Sequence, residues 1–351
     1  FLILVFVVKF AISAAYPTPE VLWYTGDVNY VLANQRVVSL YFSLAALNIW
    51  LIGLLIGYQE DKGGQEGYMF WHFWYVITRD IIDIKLSNKY WAKFKLKADL
   101  TTKYTMSFIY WSLLILTVGY LLFSSTYAYL DKTQNFTLIA LVFWTPIHIL
   151  FFMEFYSTTA VGFHLWYLTA LFLKYKFNEI NERLEYCIKR DTDITKLIQE
   201  HRQTIYWVTY TNRFIKFGVF LIYYSLSETV LLILYITHAK DTKVYMRIVT
   251  GFLFIILFTG VVAMHLISAL VSKSAHKPIK LLYKSVFSTK TTVIRRLKLE
   301  TFIERLTRGR PITYYCYNLF PINNKEFLTY LIFVSQFYLL ILRQFMDLKK
   351  S

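Results

Sequence analysis

The sequence predicts an all-α fold, a polytopic membrane protein with seven transmembrane helices. Of its 351 residues, 56% are apolar and only 17% are charged, whereas soluble domains carry about 25% charged residues. Six apolar segments reach or approach the length of about 20 residues that spans a bilayer, and the basic residues collect in long stretches between them. This composition excludes a disordered chain and counts against a water-soluble enzyme.

The first apolar run, residues 1–15, is shorter than a complete span. We interpret it as the end of a truncated first span, because Lys9 interrupts its apolar core; a signal peptide cleaved near Ser13 is the alternative. The chain starts at Phe1, so we expect residues to be missing before it. The other predicted spans are residues 37–58, 105–130, 150–173, 214–238, 247–272 and 327–346.

The apolar stretch 137–173 is too long for one span. As a single helix it would extend over about 55 Å, against a hydrocarbon core of about 30 Å. Pro146 is expected to break the helix. The span is then 150–173, and 137–149 becomes an apolar segment on the outer side.

The basic residues predict the orientation of the spans. If residue 16 lies outside, the inner segments hold 29 Lys and Arg and the outer segments hold 8, with Lys9 completing the 38. Cytoplasmic segments carry such an excess, so we predict a cytoplasmic N-terminus and an extracellular C-terminus. The same excess explains the net charge of +16 without a nucleic-acid partner. Asn135, in the only Asn-x-Ser/Thr sequon, falls in a predicted outer loop and is a glycosylation candidate.

The inner segments are predicted to be helical. Residues 174–190 continue the preceding span, with Glu179 and Arg183 at the i,i+4 spacing of an ion pair. Residues 293–306 place apolar side chains roughly on one face. This second helix either lies on the inner leaflet or packs beneath the membrane.

Polar residues inside spans cost free energy and are often functional. Each either bridges neighbouring helices or belongs to a ligand site or a hydrated path. The candidates are His148, Glu154, His164, Glu228 and His265. The motifs of zinc proteases, serine hydrolases and phosphate-binding loops are absent from the sequence, so we predict no enzymatic activity, cofactor or metal site.

The last span contains a short motif in two overlapping copies. Residues 329–337 read Thr-Tyr, five mostly apolar residues, then Gln-Phe. Residues 337–345 repeat the spacing with Phe337 in place of Thr and with Arg343 at an apolar position. In a symmetric assembly such a Gln can face a central pore, where amides replace water around a cation; otherwise it bonds to a neighbouring helix. With this motif the sequence resembles the insect gustatory receptors, relatives of the insect odorant receptors.

The resemblance covers nearly the whole chain and implies a chemosensory, ligand-gated, non-selective cation channel of the plasma membrane. Chains of that family form tetramers, here a homotetramer or a heterotetramer with related receptors. In the family the last span of each subunit lines one pore, and the region before it, here 273–326, forms a cytoplasmic anchor. The implied partners are a small-molecule tastant, the lipid bilayer and permeating cations.

The two motif copies give two pore registers. Position in the span favours the second copy and the fixed letters favour the first; we take the second and keep the first as the alternative. The second register carries Gln344, Ile341, Tyr338 and Phe345, and the alternative carries Gln336, Phe333, Thr329 and Tyr330. The family's ligands bind in the outer half of the bundle of spans, residues 1–272, where the matching positions are Tyr120, Tyr127, Trp144, His148 and Glu154.

Two other functions fit a multi-span chain. A seven-span receptor that signals through a cytoplasmic partner is disfavoured by the predicted extracellular C-terminus. A secondary transporter usually has more intramembrane charge and more broken helices. With 12 Gly and 6 Pro, this chain has few helix breakers.

Overall fold

The structure is a computed structural model of the chain. It describes residues 2–16, 18, 47, 86–130, 134–190, 192–238, 244–287, 292–316 and 320–347. The predicted span 37–58 therefore lies outside the described residues, apart from residue 47. Within the described chain, one helical stretch, Phe258–Val286, is long and apolar enough to cross a membrane.

Helices form most of the described chain. Their bounds are Leu2–Ala15 (α1), Asn88–Leu130 (α2), Gln134–Arg190 (α3), Thr195–His238 (α4), Val244–His276 (α5), Ile279–Val286 (α6), Val293–Arg308 (α7) and Asn324–Asp347 (α8). Strands Tyr315–Cys316 (β1) and Phe320–Pro321 (β2) pair antiparallel between α7 and α8. The fold is mostly helical, as predicted, and this ribbon departs from the all-α class because Pro311, which precedes β1, and Pro321, the last residue of β2, disfavour a helix.

Three of the helices extend well past the predicted spans on the side with the basic segments. Helix α2 begins at Asn88, before the span predicted from 105, and α4 begins at Thr195, before the span predicted from 214. Helix α3 continues to Arg190, which confirms the helix predicted over 174–190. Helix α7 confirms the one predicted over 293–306.

The predicted helix break at Pro146 is wrong. Helix α3 runs for 57 residues with Pro146 inside it. The proline ring removes one N–H and crowds the carbonyl four residues earlier. Apolar flanks nevertheless favour a continuous helix, because backbone groups in low-polarity surroundings must stay paired. Asn135 consequently lies in the first turn of α3 and not in the loop where we expected it.

The best-packed region lies where the extended parts of α2, α3, α4 and α5 meet α6 and α7. Phe172, Leu173, Phe177 and Ile180 of α3 are almost fully buried there. Phe94 of α2 meets Phe172 edge to face, with ring centroids 5.6 Å apart. Burial of this many large apolar side chains is the main favourable term in folding, so we describe this region as the inner core.

His201 of α4 occupies the centre of the inner core. Its ring lies 5.0 Å from that of Phe177 and 5.1 Å from that of Phe302. Its Nε2 is 3.1 Å from the carbonyl oxygen of Ala275, near the end of α5, to which it can donate a hydrogen bond. Burial lowers the pKa of His201 to about 4, since the interior disfavours the charged ring. The neutral imidazole therefore joins α3, α4, α5 and α7.

Ion pairs at the edge of the inner core differ from the predicted one. Arg183 pairs with Glu200 of α4 at 2.7 Å rather than with Glu179. Glu179 accepts a hydrogen bond from the Ser87 N–H at 3.2 Å and lies 3.9 Å from Lys176. Glu200 thus joins α4 to α3, and Glu179 binds the residue just before α2, whereas a pair within one helix contributes only about 0.2–0.5 kcal/mol.

Candidate functional site: the last helix and its contacts

Helix α8 begins at a capped position. The side chain of Asn323 accepts a hydrogen bond from the N–H of Glu326 at 3.0 Å. Such an N-cap satisfies one of the backbone donors left free at a helix start. The acidic Glu326 in the first turn adds a favourable interaction with the helix dipole. The cap thus defines where the last helix starts.

The segment before α8 is fastened to the helices around it. The N–H of Ile322 donates to the carbonyl of Tyr314 at 2.8 Å, and the N–H of Tyr315 donates to the Asn212 side chain of α4 at 2.8 Å. Tyr314 is fully buried and meets Trp166 of α3 edge to face, with centroids 5.6 Å apart. This burial raises the pKa of Tyr314. A movement of α8 at its base is therefore coupled to α3 and α4.

One face of α8 packs on α4 and α5. Tyr330 and Val334, one turn apart, are only 8% and 9% exposed. The hydroxyls of Tyr330 and Ser227 of α4 are 2.9 Å apart and share a hydrogen bond in which either can donate. His265 of α5 lies against Phe327 and Tyr330, with ring centroids 4.6 Å and 6.0 Å away. These contacts define the face of α8 turned toward the rest of its own chain.

The opposite face of α8 is exposed. At about 100° per residue, Gln336 lies about 200° around the helix from Val334. Gln336 and Thr329 are exposed, and Phe333 is 61% exposed. Phe333 stacks on Phe337 with centroids 6.0 Å apart. Three residues of the first motif copy thus share the free side of the helix, while Tyr330 of the same copy faces inward.

The second motif copy lies at the end of α8. The backbone of Gln344, Ile341 and Phe345 is helical, and their side chains lie outside the described residues. Tyr338 is half-buried and Arg343 is exposed.

The predicted ligand positions lie on two neighbouring helices, α2 and α3. Their side chains fall outside the described residues for Tyr120, Tyr127, His148 and Glu154. Trp144 is half-buried, and the ammonium of Lys9 lies 4.7 Å from its ring centroid. Lys9 is only 3% exposed, so this cation–π contact joins α1 to α3. In the sequence Lys9 only interrupts an apolar run, so this contact was not predicted.

Two of the polar residues predicted within spans act as bridges between helices. His164 of α3 hydrogen-bonds to Thr102 at 2.9 Å and to Thr105 at 3.2 Å, both on α2. His265 contacts α8 as described above. The side chains of Glu228 and His148 lie outside the described residues. Among the residues that the structure describes, there is no group of three or more His, Cys, Asp or Glu that could hold a metal ion.

The comparisons with known proteins relate the chain by fold. No protein-family model matches it, and no curated protein matches it in sequence. Its structure is similar to that of the insect olfactory receptor OR5 from Machilis hrabei, with TM-score 0.62 and 11% identity over 96% of this chain and 87% of that one. The structure of OR5 in complex with eugenol gives TM-score 0.64 and 13% identity, covering 98% of this chain and 87% of that one. The chain therefore has the fold of an insect olfactory receptor.

Proposed function

We propose that the chain is a gustatory-type insect chemoreceptor that works as a ligand-gated, non-selective cation channel in the plasma membrane. The observation that carries the proposal is the placement of the Thr-Tyr…Gln-Phe motif on a chain with an insect olfactory receptor fold. The motif lies on the last helix, with Tyr330 fixed inward and Gln336 on the free face. No catalytic chemistry is part of the proposal.

The pore is built from the free face of α8 in a tetramer. A buried face held by Tyr330 and Val334 leaves Gln336 and Phe333 for an axis shared with other subunits. This arrangement supports the first motif copy as the pore register, although position alone favours Gln344. In this register a ring of Gln336 amides coordinates the passing cation, and Phe333, about one turn before it, narrows the path.

Gating follows from the contacts of α8. A small ligand that binds among α2, α3 and the outer half of the bundle changes how α4 and α5 pack. The Ser227–Tyr330 hydrogen bond and the His265 contacts pass this change to α8. A ligand shifts such an equilibrium only through its different affinities for the closed and open arrangements. We expect a largely apolar organic ligand, because the positions proposed for the site are mainly aromatic.

The experiment is a current recording from the full chain in cells without other channels. A panel of tastants is applied, with eugenol included because OR5 was solved in complex with it. We expect a ligand-evoked cation current whose permeability ratios change in Gln336→Ala. Gln203→Ala, at an exposed Gln on the inner part of α4, is the matched control and leaves the ratios unchanged.

Three results would decide against parts of the proposal. Altered permeability in Gln344→Ala alone places the pore at the second motif copy. Saturable ligand uptake without channel-sized conductance identifies a transporter. A response that requires an added cytoplasmic signalling protein identifies a receptor without a pore of its own.

A further inference from the structure

A groove between α4 and α7, outside the predicted spans, has an apolar floor and a basic rim. One cavity of about 410 Å³ is lined by Ile198, Phe302 and Leu306 below and by Arg202, Arg305 and Arg310 at its edge. A second cavity of about 390 Å³ shares Ile198, Phe302 and Arg305 with the first, so the two form one elongated groove. We call these two cavities together the arginine groove.

The charged side chains that line the arginine groove are all basic. Its lining contains no Asp or Glu. Within the described chain, Arg202, Arg305 and Arg310 form no salt bridge, while nearby Arg296 and Arg308 pair with Glu300 and Glu304 at 3.0 Å and 2.8 Å. Clustered guanidinium groups repel one another, and an anion that binds several of them relieves this repulsion.

The shape and chemistry of the groove point to an amphiphilic ligand. Its volume lies within the range of about 300–1,000 Å³ that is usual for small-molecule sites. Guanidinium groups bind phosphate and carboxylate through two parallel hydrogen bonds. Ile198 and Phe302 line both cavities and can pack against an aliphatic part of the ligand that extends away from its charged group.

The distance from the bilayer favours a ligand from solution over a membrane lipid. Arg202 precedes the span predicted from residue 214 by 12 residues of continuous helix, or about 18 Å at 1.5 Å per residue. The headgroup layer is only about 5–8 Å thick on each side of the hydrocarbon core. A lipid phosphate held in the bilayer therefore does not reach the arginines.

We propose that the arginine groove binds a soluble amphiphilic anion, a phosphate or carboxylate group attached to an aliphatic chain. The proposal rests on the predicted cytoplasmic placement of this end of the molecule and not on channel activity. The ligand would come from the cytosol and bind far from both the pore face and the outer ligand positions.

The binding test uses the full chain in phosphatidylcholine nanodiscs and isothermal titration with octyl phosphate. Empty nanodiscs measure the partition of octyl phosphate into lipid. Inorganic phosphate tests the charged group alone, and octanol tests the aliphatic chain alone. We expect saturable binding of octyl phosphate above this partition, with inorganic phosphate and octanol each binding at least about tenfold more weakly, since charge-assisted hydrogen bonds and apolar burial each contribute.

Two variants locate the site. Arg305→Gln, at the side chain that lines both cavities, weakens octyl phosphate binding at least about tenfold. Arg308→Gln, on the same helix but outside the lining and paired with Glu304, leaves it unchanged. Equal losses in the two variants would mean non-specific attraction to a basic surface and would overturn the proposal.

Three further results overturn it. Binding no stronger than to empty nanodiscs means that the groove takes no such ligand. Displacement of octyl phosphate by phosphatidylinositol bisphosphate placed in the nanodisc means that a membrane lipid is the occupant. If octyl phosphate does not bind, and light scattering gives a lower particle mass for Arg305→Gln than for the unsubstituted chain, a second copy of the chain covers the groove. These measurements do not depend on a current. A failure of the binding proposal can therefore be distinguished from a failure of the proposed channel function.

Discussion

Ser227 on α4 and Tyr330 on α8 share a hydrogen bond of 2.9 Å between their hydroxyl oxygens. Tyr330 is the second residue of the motif in the last helix, and its ring is also stacked against His265 of α5 at 6.0 Å. One side chain thus connects the proposed pore helix to two helices of the bundle. Since the bond is half-buried, its loss is not fully offset by water.

We predict that Tyr330→Phe and Ser227→Ala each shift the ligand concentration for half-maximal current by about two- to tenfold, in the same direction. This range corresponds to the roughly 0.5–1.5 kcal/mol that one hydrogen bond contributes. Because both variants remove the same bond, the double variant should shift no further than either single one. Current recordings over a ligand series measure the three shifts, and additive shifts would show that the bond plays no part in gating.

His201 predicts a dependence of stability on pH. Its pKa is about 4 in the folded protein, against about 6.5 for an unfolded chain. Between these values the unfolded chain binds the additional proton, so stability is full above about pH 6.5 and falls as the pH drops toward 4. The slope that this residue contributes is at most about 1.4 kcal/mol per pH unit.

Thermal unfolding in detergent between pH 7 and pH 5 checks this dependence. His201→Gln keeps a donor for the Ala275 carbonyl but cannot titrate, so its melting temperature should depend less on pH. Gln203→Ala is the control, because Gln203 is exposed on the same helix and the change removes no titratable group, so the pH dependence should match that of the unsubstituted chain. Equal pH dependence in all three proteins would exclude His201 as the titrating group.

A buried amide joins α3 to α5. The side chain of Asn181 donates to the carbonyl of Ser274 at 2.8 Å. Asn181→Leu leaves that carbonyl without the donor, and we expect a loss of about 1–3 kcal/mol in the free energy of unfolding. Asn178→Leu, three residues earlier and half-buried, should change stability by less than about 0.5 kcal/mol. Denaturant unfolding of the purified chain measures both, and similar losses would mean that the contact with α5 is not responsible.

The N-cap of α8 makes a further prediction. Asn323→Ala removes the acceptor for the Glu326 N–H and should cost about 1 kcal/mol at the helix start. Hydrogen exchange is expected to become about fivefold faster at the amides of residues 326–328 and to stay unchanged in the middle of α8. Asn323→Asp retains the cap and should protect these amides as Asn does; faster exchange in both variants would argue against capping.

Hydrophobic pattern and charge predicted the helical class, the helices over 174–190 and 293–306, and a motif-bearing last helix. These features depend on local periodicity and on where Lys and Arg accumulate. The unbroken helix through Pro146 was not predicted. The expected break considered only the penalty of one proline, whereas the apolar residues on both sides favour a hydrogen-bonded helical backbone. Local patterns also do not predict contacts between residues far apart in sequence, such as those of Arg183 with Glu200 and of Lys9 with Trp144. The arginine groove exists only once α4 and α7 are packed together.

The last prediction concerns the two faces of α8. In a background with Cys187→Ser and Cys316→Ser, a cysteine at Gln336 should react with a charged methanethiosulfonate reagent and block the ligand-evoked current. A cysteine at Val334, two residues earlier and 9% exposed, should react at least about tenfold more slowly, because its thiol faces α4 and α5. Phe333→Cys should behave like Gln336→Cys, since Phe333 is 61% exposed.

The alternation identifies the pore-facing side of α8, and the test requires only a ligand that evokes a current. A helix face repeats about every 3.6 residues, so a block at 333 and 336 but not at 334 identifies the pore side of α8. Fast block at Val334→Cys together with slow block at Gln336→Cys would mean that α8 rotates away from the described packing before the channel conducts. The Tyr330 hydrogen bond would then have to break on opening, and Tyr330→Phe should favour the open state.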